Sequence, residues 1–176
     1  MSEQKEKWHG WLALSTAIMA VLAALTTLYM GKYSSRAIMA QGQESDQWAY
    51  FQAKSIKEHT FELSRKQLEL QMLGQKDLAG EGAEAYKKTI AKYDSEVKRY
   101  GDERKEIKAK AEEIAKRKLL AQDMGGNFAY ALIFLQIALM LSSISSLTKR
   151  KYLWYIALAS TVGWVFFFFD AWLLFY

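Results

Sequence analysis

Cysteine and proline are both absent from this chain of 176 residues, and histidine occurs only twice, at His9 and His59. Without cysteine there is no disulfide, no thiolate nucleophile and no thiolate metal ligand. Without proline the main breaker of helix interiors is missing, so the sequence reads as long, uninterrupted helix. No glycine-rich phosphate loop, nucleophile elbow or His-Glu-x-x-His spacing occurs. Catalysis is left without a motif to carry it, and the expectation is a protein that is not an enzyme and holds no cofactor. Nor does the formal charge of +5 indicate nucleic acid as a partner. The segment 31–123 holds 19 basic and 16 acidic residues, a mixed surface rather than a basic block.

Charge is scarcest in three stretches, residues 11–30, 124–148 and 152–176, which share a single charged side chain, Asp170. About 20 apolar residues at 1.5 Å each cross the roughly 30 Å hydrocarbon layer of a bilayer, so each stretch reads as a transmembrane helix. Lys5 and Lys7 precede the first one as in a secretory signal. That stretch, however, runs past the 7–15 residues of a signal core and ends at Gly31, Lys32 and Tyr33 rather than at a cleavage site, so it reads as a retained span. The organisation expected is a tail at 1–10, a first span at 11–30, an extramembrane segment at 31–123, a second span at 124–148, a basic loop at 149–151 and a third span at 152–176.

Within 31–123, Gly74, Gly80 and Gly82 gather among polar residues and mark the tip of a helical hairpin. Beyond the tip, Tyr86, Ile90, Tyr93, Val97, Tyr100, Arg104, Ile107, Ala111 and Ile114 recur at spacings of four and three, as in a coiled coil. Exposed positions carry acid-to-base pairs four apart, such as Glu84 with Lys88 and Asp94 with Lys98. Before the tip, Ala49, Ala53, Ile56, Thr60, Leu63, Gln67 and Leu70 form a stripe of small and apolar residues suited to close packing against the second arm. Residues 33–73 and 83–122 would each extend about 60 Å as helix, so the second arm returns the chain to the membrane beside the first. Gly31, Gly42, Gly125 and Gly126 are the expected bends, because each glycine costs about 1 kcal/mol in a helix interior. The fold class expected is therefore an all-α membrane protein, three transmembrane helices with a long antiparallel coiled-coil hairpin between the first and second. Under the positive-inside rule Lys149, Arg150 and Lys151 keep their loop and the N-terminus cytoplasmic and place the hairpin on the periplasmic side.

Few side chains suggest chemistry. Glu58, His59 and Glu62 lie within one turn, but the arm opposite offers Tyr, Val and Ile rather than further carboxylates, so no metal site is expected. Asp170 is the candidate intramembrane polar site. Its position six residues from the end of the sequence favours the interface, where a carboxylate reaches water or headgroups. Phe166, Phe167, Phe168 and Phe169, with Trp154, Trp164, Trp172 and Tyr176, read as an aromatic belt and helix packing. Trp48, Tyr50 and Phe51 sit on a helix expected in water and form a candidate partner-binding patch, together with the heptad-spaced Tyr86, Tyr93 and Tyr100.

The run Ser45, Asp46, Gln47, Trp48, Ala49, Tyr50, Phe51, Gln52, Ala53, Lys54, Ser55, Ile56, Lys57, with Trp11 through Leu14 and the exit at Gly31, Lys32 and Tyr33, resembles a bacterial membrane family known as domain of unknown function 4337. The resemblance implies a multi-pass protein of the bacterial inner membrane and brings no catalytic residues. The function expected is an oligomeric scaffold, or a pore, that self-associates through its spans and hairpin. A pore would be lined by Ser15, Thr16, Thr26 and Thr27 or by Ser142, Ser143, Ser145 and Ser146. The alternative is an accessory subunit that holds another membrane protein through the Trp48 patch. The expected partners are membrane lipid and further copies of the chain.

Overall fold

The computed structural model describes residues 2–74 and 80–174, with side chains from residue 8 onward. Residues 75–79 of the expected tip, the side chains of Lys5 and Lys7, and Tyr176 lie outside the described residues. Among the described residues there are three helices and no strand: α1 Ser2–Gly74, α2 Glu81–Thr148 and α3 Lys151–Leu173. Each contains a segment long and apolar enough to cross a membrane by length and composition. Gly31, Gly42 and the adjacent pair Gly125 and Gly126, expected as bends, all lie within continuous helix, because glycine weakens a helix by about 1 kcal/mol without having to end it. True reversals fall where the backbone leaves the helical region. Gly80 has φ +74° just before α2, and Lys149 has φ 56° between α2 and α3.

Two compact units result, residues 1–39 with 117–176 and residues 40–116. In the first, α2 runs against α1, and α3 runs in the direction of α1. Met19, Leu135, Ala138 and Ala157 form one buried cluster, and Tyr33, Phe128 and Ala171 another. Polar groups set the register. The Trp154 indole N–H donates to Ser15 Oγ at 3.0 Å, the Trp164 indole N–H donates to Thr26 Oγ1 at 3.0 Å, and Ser160 Oγ donates to the Phe134 carbonyl at 2.8 Å. Helices α2 and α3 meet so closely at Gly163 that a Cβ there would lie 2.6 Å from Phe134 Cδ1. Phe134 is itself stacked on Phe167, with ring centroids 5.6 Å apart.

In the second unit the stripe expected on α1 to pack against α2 points away from it. Ala49, Ala53, Ile56, Thr60, Leu63, Gln67 and Leu70 are all exposed. Phe51, Lys54, Glu58, Phe61, Arg65 and Leu68 meet α2 instead, also at alternating spacings of three and four. Their series lies two residues out of phase, about 200° around the helix. Lys54 pairs with Glu103 and Arg65 with Asp94, Phe61 stacks on Tyr100 and packs on Tyr93, and Leu68 shares a small hollow with Tyr86. Positions on α2 thus fall as those on α1 rise. Charge and aromatic area rather than aliphatic packing select this face, which is why apolar periodicity chose the other. The stripe on α2 from Tyr86 to Ile114 is half-buried or buried throughout.

Gly163→Ala should lower the thermal unfolding midpoint of the detergent-solubilised protein by the equivalent of about 1–3 kcal/mol, because Phe134 must leave its stack. Gly31→Ala, at a helical site where nothing lies within 4 Å, should raise the midpoint, since alanine is the better helix former. Equal effects of the two would refute the close approach at Gly163.

Candidate functional site

Among the described residues the surfaces able to act on other molecules belong to the two units separately. In the first unit, aromatic side chains gather in two tiers. Trp8 stacks on Trp154 with centroids 6.4 Å apart, and Lys151 Nζ lies 5.9 Å from the Trp8 ring. At the other tier Phe128 is flanked by Tyr29 and Tyr33, at 5.5 and 5.6 Å, and is met edge-on by Phe168 and Trp172. Arg36 and Lys32 lie over the tyrosine faces of this tier. Twenty-one helical residues separate Trp8 from Tyr29, a rise of about 31 Å and close to the thickness of a bilayer's hydrocarbon.

Asp170 lies beside the second tier, fully buried, and accepts a hydrogen bond of 2.5 Å from Asn127 Nδ2. The expectation from its position in the sequence concerns depth and says nothing of which way the side chain points. Its turn of α3 faces α2, and an amide stands there at the same level. Asn127 carries no charge, so a search for charged groups passes over it. The usable signal was depth, since Asn127 lies three residues inside the second expected span and Asp170 six residues from the end of the third.

The hydroxyls considered as pore lining divide into two groups. Ser15 and Thr26 each donate to a carbonyl on their own helix and accept an indole N–H. Ser145 is buried and donates to the Arg150 carbonyl. A groove of about 480 Å³ between α1 and α2 takes others: His9, Ala13, Thr16, Ala17 and Ala20 on one wall, Ser142, Ser143 and Ser146 on the other. Ser142 Oγ is buried there without a hydrogen-bond partner.

In the second unit the candidate aromatic patch is divided by the helix. Phe51 faces α2, with the Arg104 guanidinium 4.8 Å from its ring centre, and Trp48 packs edge-on against Phe51 at 5.5 Å. Tyr50 lies on another side, half exposed, with Lys54 Nζ 5.2 Å from its ring. Tyr100 is buried against Phe61, Tyr93 packs on the same phenylalanine, and Tyr86 is half-buried. These tyrosines are thus engaged within the helix pair. His59 is exposed and meets Glu62 at 3.5 Å. Among the described residues no three metal-ligating side chains come together.

Ion pairs join the two helices of this unit. Lys54 Nζ and Glu103 Oε2 are 2.5 Å apart, as are Arg104 Nη1 and Glu58 Oε2, and Arg65 Nη1 and Asp94 Oδ1 are 2.6 Å apart. The hydrogen bond from Lys54 holds the Glu103 carboxyl below its usual 4.5, and the bond to Glu103 raises Lys54 above 10.5. A carboxyl lowered on folding stabilises fully above its unfolded value, and that contribution is lost as pH falls through the folded value. Glu103 therefore stabilises the pair above pH 4.5 and ceases to do so on stronger acidification. By the opposite sign, Lys54 contributes below pH 10.5 and loses its effect as pH rises through its raised value. Circular dichroism melting of the full chain should show a midpoint that falls on acidification below pH 4.5, and Glu103→Gln should flatten that acid limb. An unchanged limb in the variant would exclude the pair from the seam.

No curated protein and no solved structure gives a significant match to the sequence. A family model described as "Domain of unknown function (DUF4337)" matches residues 8–174. That match takes in all three apolar segments and both helices of the second unit, and the chain accordingly belongs to the DUF4337 family.

Proposed function

We propose that this chain is a non-enzymatic integral membrane protein that self-associates and serves as an oligomeric scaffold. Its three apolar segments insert as transmembrane helices, and the helices of the second unit pair as an antiparallel coiled-coil hairpin. The family resemblance supports the bacterial inner membrane, and the basic loop 149–151 favours an orientation with that loop and the N-terminus in the cytoplasm and the hairpin in the periplasm.

The observation that carries this reading is the groove between α1 and α2. Ala13, Ala17 and Ala20 stand exposed and leave room for another helix to approach closely, and the exposed hydroxyls of Ser143 and Ser146 line the facing wall. Small residues and hydroxyls are what bring helices together in lipid, where apolar area alone gives no preference for protein over acyl chain. A helix from a second copy fits both features. A scaffold is favoured over a pore because Ser15, Thr26 and Ser145 are engaged within the protomer, leaving too short a polar row to line an axis. An enzyme acting on lipid is disfavoured because Asp170 is held by Asn127 and His59 by Glu62.

The competing reading is an accessory subunit that holds another membrane protein through Trp48, Tyr50 and Phe51, and the half-exposed Tyr50 speaks for it. Native mass spectrometry from lipid nanodiscs should give a discrete homo-oligomer for the parent chain. Ala17→Leu, at an exposed position where a single copy has space, should shift the distribution toward smaller species, about fivefold in association constant for roughly 1 kcal/mol lost at the groove. A monomeric parent, or a complex with an unrelated protein, would replace the scaffold reading by the accessory one.

A further inference from the structure

The outer face of α1 in the second unit is a second heptad surface that no described residue covers. Ala49, Ala53, Ile56, Thr60, Leu63, Gln67 and Leu70 follow one another at spacings of four, three, four, three, four and three, and all seven are exposed. Ile56, Leu63 and Leu70, each seven residues from the next, stand 67%, 67% and 70% exposed. Among the described residues the large exposed hydrophobics of this unit are Tyr50, Ile56, Leu63, Leu70 and Leu73, and every one is on α1. Helix α2 is already satisfied, since its inward stripe packs on the opposite side of α1.

A strict seven-residue repeat drifts about 20° per heptad around a straight helix, so it stays in line only when wound around another helix at 3.5 residues per turn. The missing partner is therefore a helix carrying the same repeat. A second copy of this stripe satisfies the remaining constraints. Gln67 lies in the stripe, and an amide is both donor and acceptor, so two copies in register answer one another where an apolar partner would leave the group unpaired. The flanking positions are Gln52, Lys57, His59, Ser64, Lys66 and Gln71. Parallel pairing in register sets Gln52 against Lys57, His59 against Ser64 and Lys66 against Gln71, so no two lysines face each other. Copies that enter one bilayer by the same first segment also present the stripe in the same direction.

We propose that residues 49–70 of α1 pair with the same residues of a second copy as a parallel, in-register two-stranded coiled coil. The proposal rests on the self-association reading and adds a contact outside the transmembrane groove. About three heptads are marginal for a free pair of helices, so the contact depends on the local concentration that membrane anchoring supplies.

The natural absence of cysteine makes the test direct. Ile56→Cys, Leu63→Cys and, as an outer control on α2, Lys92→Cys are prepared singly in the full chain in lipid nanodiscs and exposed to a mild oxidant. Disulfides need Cβ atoms about 3.5–4.5 Å apart, a separation that facing stripe positions reach and outer positions do not. The two stripe variants should give a product of twice the chain's 20.2 kDa, at least about fivefold more of it than Lys92→Cys. Equal yields at all three sites, no product from the stripe variants, or a product with a different protein would overturn the proposal. Native masses of the uncrosslinked chain separate the two readings. An oligomer whose stripe cysteines stay unlinked refutes the arm contact and leaves the groove, whereas a monomer removes the scaffold itself.

Discussion

Polar groups between apolar helices must be answered by other polar groups, because neither neighbouring side chains nor lipid can do so. That requirement fixes how the three helices of the first unit meet. Trp154 and Trp164 lie ten residues apart on α3, and their indole N–H groups reach Ser15 and Thr26, eleven apart on α1. A third polar contact, Asn127 with Asp170, ties α2 to α3, and Ser160 binds the Phe134 carbonyl beside the glycine that lets the two backbones close. In the proposed bilayer, aliphatic contacts alone would leave the helices free to slide, since one leucine facing lipid costs little more than one facing protein. The hydrogen bonds allow one register.

The second unit solves the same problem with different groups. Its seam is built from salt bridges and stacked rings, with Arg104 over Phe51 and Lys54 between Tyr50 and Tyr100. Such contacts contribute little each when exposed, but they demand opposite charges at matched positions and so discriminate against shifted pairings. The aliphatic side chains that would normally form a coiled-coil core lie on the other side of α1. One helix thus presents two unlike faces, one chosen for fidelity within the protomer and one rich in apolar area.

Much of this was legible in the sequence. Three stretches with a single charge among them announced the apolar helices, the glycines near 80 announced the reversal, and the heptad from Tyr86 to Ile114 identified the buried face of α2. What misled was α1, where the search for apolar periodicity found a true stripe but the outward one. The inward face alternates Phe51 and Phe61 with Lys54, Glu58 and Arg65, and a hydrophobicity count discounts charges that pair across a seam. Asp170 was noticed and its partner was not, because neutral amides do not register in a search for charge. The tryptophans read as belt residues also act as hydrogen-bond donors to hydroxyls more than 130 positions away, a relation no local pattern contains.

The two aromatic tiers of the first unit have a consequence for where such a protein is at home. Rings with cations above them settle at the boundary between acyl chains and headgroups, and here the rungs are set by covalent helix at about 31 Å along α1 and about 27 Å from Trp154 to Trp172 along α3. Unbroken helices cannot shorten that interval. A thinner membrane is matched by tilting the bundle, and a thicker one draws a tier into hydrocarbon or pinches the lipid around it, each at a cost of fractions of a kcal/mol per Å. Inserted as proposed, the protein would act as a gauge, partitioning among lipid environments by their thickness before any other molecule takes part.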